Sequence, residues 1–468
     1  MQIGKCNMRV IEQKAKKKIL LVCNYFAPEN TIAAVRISKL AKYFVKAGYD
    51  VDVLTEKKGH QLIDETLLKD AGMAGVTYAD NSRWCKAFYN LYVRLLKPHK
   101  EKRLANLDNR ERINPKTGKI EFYPFETAYP LIGSSDYLAG LVRQIDLARN
   151  ARRIVDGRKY DVLITSYGDL FSYFFGRWYK RKHHQIPWIF DVRDAIYRYK
   201  FIPEYVGWIP KRYEQYAWKD ADAIIGVSKG ICRRVPRKYR KKVHYISNGY
   251  DRFVEDGKTY DRMSDKMSFT YTGSMYGGLQ NLSKFFEAVK SLTNDGSIQA
   301  DKMEFCYAGN ESAYEIFRNQ AAKYQLDQYC IYCGRLTRKE SINLQRQSDV
   351  LLMASYDYIN NTGGVITGKI FEYMDARRPV VAIVTGDIEK GEVADIINKT
   401  NIGICYEQSN DKNDFILLKE YICNQYNHFL NYGQTLYEPI YNEVQRYDYK
   451  NITKRYIKVL EKLCGGNG

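Results

Sequence analysis

The sequence predicts an α/β protein with two doubly wound, Rossmann-like domains that face a cleft. The 468-residue chain contains two successive series of short apolar runs alternating with segments of helical spacing, and a polar stretch separates the two series. Short continuous apolar runs are typical of strands in parallel sheets. Such sheets bind ligands on the loops that follow the strands, so two tandem sheets predict a cleft between two sets of loops.

The first series occupies residues 1–251. In it, "KKILLVCNYF" (Lys17–Phe26) predicts a buried strand, "VRISKLAKYFVKAG" predicts a helix that stops at Gly48, and "YDVDVLTEK" predicts a second strand. Residues 60–135 interrupt the alternation with an amphipathic segment and a polar, turn-rich piece. The alternation resumes at "DYLAGLVRQIDLARNARRIV", so this part of the chain can form a complete domain.

The polar stretch "RFVEDGKTYDRMSDK", residues 252–266, has no apolar periodicity and is predicted to be a linker. The second series, residues 267–435, opens with a strand and a glycine loop in "MSFTYTGSMYGG". Residues 436–468 have the spacing of helices that can pack back on the first domain.

The composition is strongly basic. Lys and Arg total 74 and Asp and Glu total 54, which gives a formal charge of +20, and there are 41 tyrosines. This combination favours a polyanionic partner: a nucleic acid, an anionic membrane or a phosphorylated substrate. Charge alone is equally compatible with a purely solubilising role.

Cysteine and hydrophobic patterns argue against several classes of protein. The ten cysteines have no repeated spacing, which is typical of a reduced, cytosolic chain, and the single C-x-x-C lacks the second pair that a zinc site needs. Six histidines form no metal-binding pattern, so no metal is expected. We see no signal-peptide pattern and no apolar run of transmembrane length.

Several ordered segments resemble one known family. They are "NYFAPENTIAAVRISKLAKYFVKAGYDVDVLT", "DVLITSY", "WIFDVRDAI", "ADAIIGVSKG", "VHYISNGYD", "YTGSMYGGLQNL", "YCGRLTRKESINLQRQSDVLLMAS" and "TGKIFEYMDARRPVVAI". Together they resemble the retaining glycosyltransferases of family 4, which have the GT-B fold, and most closely bacterial enzymes that build surface polysaccharides. The resemblance implies a nucleotide-sugar donor on the second domain, an acceptor on the first and, for most members, no metal. No other cofactor is implied, because the nucleotide-sugar is a substrate.

The resemblance assigns donor-binding roles within "TGGVITGKIFEYMDARRPVVAI". Glu372 matches a glutamate that accepts hydrogen bonds from the ribose hydroxyls, and a carboxylate can accept from both. Lys369 lies one turn earlier at a predicted helix N-terminus, which favours a diphosphate. Thr367 is the expected N-cap or a phosphate donor, and Gly363 and Gly364 leave room for backbone to approach phosphate. The segment taken alone also fits an ordinary glycine loop and capped helix.

The chain departs from the family pattern in the donor domain. Gly273 is predicted to form a second phosphate loop, but Ser274 and Gly277 stand where members commonly carry an arginine and a lysine. We expect the diphosphate to depend instead on helix dipoles, Lys369 and Arg335, although Arg335 fits a surface charge equally well.

The family also carries a first glutamate, separated from the second by seven residues. Gly364 occupies that position here. Because this glutamate usually approaches the transferred sugar, its replacement leaves the recognition of the sugar open.

The acceptor side is predicted from the ends of first-domain strands. The loop "PENTIAA" offers polar donors, and an arginine follows on the next helix, where it points near the loop or into solvent. Where the family often has a histidine, this chain has Ser166, Tyr167 and Gly168. "FDVRDAI" places an Asp-Arg-Asp group after a strand, which either reaches the acceptor or forms a local ion pair. The acceptor-side candidates are Asn30, Thr31, Arg36, Tyr167, Asp191, Arg193 and Asp194.

The segment Arg83–Arg103 has the pattern of a basic amphipathic helix. It interleaves seven Lys and Arg with apolar residues at helical spacing, and Arg233–Lys242 adds seven basic residues in ten. Such helices lie in anionic membrane interfaces, or pack on a domain with a solvated basic face. The apolar members are Trp84, Phe88, Tyr89, Tyr92, Leu95 and Leu96.

The sequence therefore predicts a cytoplasmic retaining glycosyltransferase that moves a sugar from a nucleotide-diphosphate sugar to a glycan or polyprenyl-linked acceptor in surface polysaccharide synthesis. Association with the inner face of the cell membrane is a further expectation. Two alternatives stay open: a protein that binds nucleic acid or another polyanion, and a GT-B enzyme that epimerises or phosphorolyses sugars. The missing nucleic-acid-binding modules argue against the first.

Overall fold

The computed structural model describes residues 17–29, 32–58, 63, 65–72, 74–105, 111–113, 120–122, 130–194, 206–252, 264–275, 280–357 and 366–465. These ranges contain two parallel sheets, each with helices packed on both faces. Of the candidate site residues, Asn30, Thr31, Gly363 and Gly364 lie outside the described residues.

The first sheet has seven strands in the order β3-β2-β1-β6-β7-β8-β9, and all of its neighbouring pairs are parallel. Because β1 pairs with both β2 and β6, the strand order reverses beside β1, and a crevice forms there at the carboxyl ends. The strands are β1 Lys18–Cys23, β2 Asp50–Glu56, β3 Gly75–Ala79, β6 Val162–Tyr167, β7 Trp188–Val192, β8 Ala223–Gly226 and β9 Val243–Tyr245. A separate hairpin pairs β4 Glu111–Ile113 with β5 Ile120–Phe122.

Seven helices accompany this sheet in the described ranges. They are α1 Ile32–Lys46, α2 Glu65–Asp70, α3 Arg83–Ala105, α4 Pro130–Val155, α5 Leu170–Lys182, α6 Trp208–Asp220 and α7 Lys229–Arg234. A 3₁₀ turn spans Arg237–Lys242.

The second sheet repeats the same winding with six strands in the order β12-β11-β10-β13-β14-β15. Its strands are β10 Met267–Thr272, β11 Met303–Ala308, β12 Cys330–Tyr332, β13 Val350–Asp357, β14 Val380–Gly386 and β15 Gly403–Glu407. The following helices are α8 Ser283–Asn294, α9 Glu311–Ala322, α10 Arg338–Gln347, α11 Lys369–Ala376, α12 Glu392–Thr400, α13 Asp411–Tyr432, α14 Tyr441–Gln445 and α15 Tyr449–Gly465. Short 3₁₀ turns span Ala300–Lys302, Asp327–Tyr329 and Gln408–Asn410.

The prediction that residues 60–135 interrupt the alternation is wrong in part. The structure places α2 and the edge strand β3 there, and β3 pairs in parallel with β2. "GVTYA" is largely half-exposed or exposed at this edge, so its sequence lacks the continuous apolar run of a central strand.

The C-terminal helix α15 packs against the first domain. The Tyr456 and Phe44 rings meet edge to face with centroids 6.2 Å apart, and the buried side of α15 joins the core around β1 and α1. The preceding segment pairs with the end of the first series: the Tyr250 amide donates to the Tyr447 carbonyl, and the Tyr449 amide donates to the Tyr250 carbonyl. The chain therefore crosses between the two sheets at two adjacent places.

Candidate active site

The amino end of α11 carries the predicted donor-binding residues. Lys369 is the first residue of the helix and Gly368 is its N-cap, with helical backbone angles and no side-chain cap. The prediction that Thr367 caps the helix is therefore wrong, because the helical turn begins one residue later. The Thr367 hydroxyl is buried and has no hydrogen-bond partner among the described atoms.

Lys369 reaches across to the glycine turn that follows β10. Its ammonium lies 3.5 Å from the Ser274 carbonyl oxygen and 5.0 Å from the centre of the Tyr271 ring. Gly273 has a φ of +97°, and a Cβ added there would lie 3.2 Å from the Lys369 Nζ. The start of α11 and the Gly273 turn thus meet at Lys369, and the missing side chain of Gly273 leaves space for the lysine.

The glycine turn is held by two buried tyrosines. Tyr307 donates to the Gly273 carbonyl at 2.7 Å, Tyr271 donates to the Ser274 carbonyl at 3.0 Å, and the two rings stack with centroids 5.7 Å apart. Burial lowers the pKa of Lys369, although the nearby Glu372 carboxylate opposes this shift. An anionic ligand beside the turn would stabilise the charged form of Lys369. It would therefore oppose the lowering of the pKa that burial causes.

Glu372 follows Lys369 by three residues, which places both on one side of α11. Glu372 lines a cavity of about 880 Å³ together with Arg335, which follows the left-handed Gly334 at the end of β12. The first domain supplies the opposite wall, including Lys39, Lys42, Asn248, Tyr250 and Asp251. The cavity is therefore a cleft between the domains, and its size suits a drug-sized or nucleotide-sized ligand.

Two predicted acceptor residues, Arg36 and Asp191, are instead buried against each other. Their side chains are 1% and 0% exposed, and the Arg36 Nη2 lies 2.9 Å from the Asp191 Oδ1. Arg36 also donates to the Ser247 and Ile246 carbonyls, while the Tyr456 hydroxyl donates to Asp191 at 2.6 Å. This network joins α1, β7, the end of β9 and α15, so its evident role is structural.

The pKa of Asp191 reflects this network. Burial alone would raise it, but the Arg36 guanidinium and the hydrogen bonds from Arg36, Tyr456 and Ser166 hold it below its usual value. Asp191 is therefore a carboxylate whose charge is already matched within the protein.

Arg193, unlike Arg36, lies half-buried at the ends of the central strands. Its Nη1 donates to the Ala33 carbonyl at 2.7 Å and its Nε donates to the Tyr167 carbonyl at 3.3 Å. A Cβ on Gly168 would lie 2.2 Å from the Arg193 Nη2, so a larger residue there would displace the guanidinium. The Tyr167 ring packs on Phe190 and is buried, and Asp194 lies half-buried just after β7.

Sequence reasoning missed a contact between the domains at Glu392. The Glu392 carboxylate accepts from the Lys229 amide at 2.6 Å and from the Gly230 amide at 3.2 Å, at the start of α7. The Lys229 ammonium also pairs with Asp395 at 2.7 Å. Burial raises the pKa of Glu392, while these two amides oppose the shift. The sequence shows that the first turn of α12 is acidic. It does not indicate that these acidic residues contact a helix of the first domain.

A second cavity, of about 340 Å³, lies beyond the ends of β1, β2 and β3 and was also missed. It is lined by Tyr25, Glu56, Lys58, Tyr89 and Arg143, among others. The charged run "EKK" that ends β2 was the available signal, since polar residues after a buried strand often line a site.

Helix α3 divides its apolar residues between two sides. Tyr89, Tyr92 and Leu96 are half-buried, and Tyr92 donates to Asp136 of α4 at 2.5 Å, so these residues do not form the predicted outer face. The exposed apolar residues are Trp84, Phe88, Leu91 and Leu95, with 45% to 61% of each exposed. They recur every three or four residues and form one stripe.

Two family models match the chain. Residues 33–249 match the glycosyl transferase 4-like domain, and residues 266–416 match the glycosyl transferases group 1 domain. The chain belongs to the family 4-like glycosyltransferases. It is therefore a glycosyltransferase with the GT-B fold, as the sequence predicted, and a nucleotide-sugar donor and a glycan acceptor follow from the family.

Solved structures agree with this fold at low identity. Sucrose-phosphate synthase from Thermosynechococcus elongatus matches at a TM-score of 0.56 and 12% identity, over 97% of this chain and 100% of that one. The lipopolysaccharide outer core galactosyltransferase WaaB matches at 0.55 and 10%, over 95% and 99%. A UDP-forming α,α-trehalose-phosphate synthase from Burkholderia xenovorans matches at 0.57 and 11%, over 96% and 99%. No match was found by sequence among curated proteins.

Proposed function

We propose that this glycosyltransferase transfers a hexose, with retention of anomeric configuration, from a nucleotide-diphosphate sugar to a glycan or lipid-linked acceptor of a surface polysaccharide. The observation that supports the donor most directly is the meeting of Lys369 with the Gly273 turn, one helical turn before Glu372. The lysine and turn would hold the diphosphate, and the carboxylate would accept from the ribose hydroxyls. Arg335 would add a cation at the cleft wall.

The proposed transfer uses the donor diphosphate as the proton acceptor. As the bond between the sugar and the diphosphate breaks, a diphosphate oxygen takes the proton of the attacking acceptor hydroxyl. The chain's contribution is then to orient the donor and stabilise the charge that develops on the leaving diphosphate, and we assign this role to Lys369 beside the Gly273 turn. We propose that no metal is needed. No group of three potential metal-ligating side chains occurs among the residues that the structure describes.

A donor screen tests the proposal. Purified protein is mixed with UDP-, GDP- and TDP-linked sugars, and binding is followed by calorimetry, with single-stranded DNA as the competing ligand. Binding of at least one nucleotide-sugar is the expected result. Binding of DNA but of no nucleotide-sugar would instead favour a polyanion-binding protein. Isomerisation of the sugar or its release as a sugar phosphate would identify an epimerase or a phosphorylase.

We further propose that the enzyme works at the inner face of the cell membrane, attached through the exposed stripe on α3. In the described part of the chain, no helix is long and apolar enough to cross a bilayer. The α3 sequence carries seven Lys and Arg and one acidic residue, Glu101. That charge favours anionic lipid and disfavours pairing with a second, equally basic copy of α3.

Flotation with vesicles tests the attachment, using Leu91→Ser/Leu95→Ser and the matched control Ile416→Ser/Leu417→Ser on α13. All four leucine or isoleucine side chains are at least half exposed, so neither change should unfold the protein. We expect binding to phosphatidylglycerol vesicles at low salt that only the α3 variant loses, by at least about tenfold. Equal binding by all three proteins would reject α3 as the attachment site.

A further inference from the structure

The cavity of about 340 Å³ in the first domain lies at the carboxyl ends of three neighbouring strands. Tyr25 follows β1, Lys57 and Lys58 follow β2, and Asp80 follows β3. Helices α3 and α4 cover it with Lys86, Tyr89, Asn90 and Arg143. The volume is enough for a sugar ring with one charged substituent, at the small end of the range for ligand pockets.

The lining contains four cations and two carboxylates. Both carboxylates already have partners: Arg143 pairs with Glu56 at 2.8 Å, and Lys86 pairs with Asp80 at 2.5 Å. Lys58 pairs with Glu29, which lies outside the lining, at 3.6 Å, and no ion pair of Lys57 is found among the described residues. The cavity is therefore electropositive, and a bound anion would gain from both lysines.

Lys58 lies over an aromatic ring and beside a carboxylate within this cavity. Its ammonium lies 3.0 Å from the centre of the Tyr25 ring and 3.6 Å from a Glu29 oxygen, and its side chain is 18% exposed. Burial lowers the pKa of Lys58, and the neighbouring carboxylates only partly offset this. The Glu29 contact is longer than a good hydrogen bond, so a bound anion would compete with Glu29 for the Lys58 ammonium.

Tyr25 connects the cavity with the central crevice. The Arg193 guanidinium lies 5.8 Å from the centre of the Tyr25 ring, and Arg193 also binds the Ala33 carbonyl near the start of α1. A ligand in the cavity would therefore lie one aromatic ring away from the ends of β6 and β7.

We propose that this cavity binds the anionic part of the acceptor, a phosphate carried by a sugar or by a lipid. Lys57 and Lys58 contact the phosphate, and the Tyr25 and Tyr89 rings pack against the attached sugar. The assignment depends on the proposed function, because it takes the bound ligand to be the acceptor. A sugar phosphate and a lipid phosphate both carry the anionic phosphate group that the cavity would bind.

Calorimetry with three probes tests the assignment: glucose 1-phosphate, methyl glucoside and a short-chain polyprenyl phosphate in detergent. We expect both phosphates to bind and the uncharged glucoside to bind at least about tenfold more weakly. Tighter binding of the polyprenyl phosphate than of glucose 1-phosphate would identify the lipid as the source, and the reverse order would identify a free sugar phosphate. Equal binding of the glucoside, or no binding of either phosphate, would overturn the proposal.

Lys58→Met and the control Lys182→Met locate the binding. Lys182, the last residue of α5, forms an exposed ion pair with Asp156 and does not line the cavity. We expect Lys58→Met to weaken phosphate binding at least about tenfold and Lys182→Met to leave it unchanged. Unchanged binding in Lys58→Met would overturn the site. Nucleoside diphosphate binding, measured on the same samples, shows that each variant is folded and tests the donor function separately.

Discussion

Replacing Arg36 with methionine would leave the Asp191 carboxylate without its cation in the interior of the first domain. The pair is essentially unexposed, and Arg36 also donates to the carbonyls of Ser247 and Ile246. Removing one partner of such a buried pair typically costs about 3–5 kcal/mol, because the remaining charge is uncompensated. We therefore expect the free energy of unfolding of Arg36→Met to fall by about 3–5 kcal/mol.

Urea denaturation followed by tryptophan fluorescence measures this change, with Lys182→Met as the control. The Lys182–Asp156 pair is exposed, so its loss should leave the free energy of unfolding nearly unchanged. A loss below about 1 kcal/mol in Arg36→Met would refute the structural role of the pair. If Arg36→Met were fully stable but had no transferase activity, the result would instead support a role of Arg36 in acceptor binding.

The same pair predicts how stability depends on pH. The folded-state pKa of Asp191 is held below its usual value, so its contribution is present above the unfolded pKa and is lost as pH falls through the folded one. Acid unfolding of the parent protein should therefore include a component that Asp191→Asn lacks. Identical acid titrations of the two proteins, monitored by circular dichroism, would contradict this assignment.

Three further predictions concern the donor site and the domain contact. Glu372→Ala should raise the KM for the donor strongly and leave folding intact, and an unchanged KM would remove the ribose role. Lys369→Met should weaken nucleoside diphosphate binding at least about tenfold in calorimetry, since it removes the cation beside the Gly273 turn; equal affinity would place the diphosphate elsewhere. Glu392→Ala removes the carboxylate that accepts from two amides of α7, so small-angle scattering should show a larger radius of gyration; an unchanged radius would show that other contacts hold the domains.

The sequence alone was enough for the fold and for the shared helix of the two proposed donor-binding residues. Buried strands such as β1 and β10 are continuous apolar runs, and their alternation with helices identifies two doubly wound sheets. Lys369 and Glu372 are three residues apart, and helical spacing puts them on one side of α11 without further information. The Thr367 cap was predicted wrongly because one residue decides where a helix begins, and local preferences do not fix that residue.

Contacts between distant residues required the tertiary structure. Arg36 and Asp191 are 155 positions apart, so no local pattern could tell a buried pair from two polar groups at an active site. The approach of Lys369 to the Gly273 turn, and the gathering of Lys58, Tyr25 and Arg143 around one cavity, depend likewise on how parallel strands bring their ends together. Hydrophobic periodicity is a local property of the chain and determines which segments are buried. Which charges meet at the strand ends is decided only by the order in which the sheet is wound.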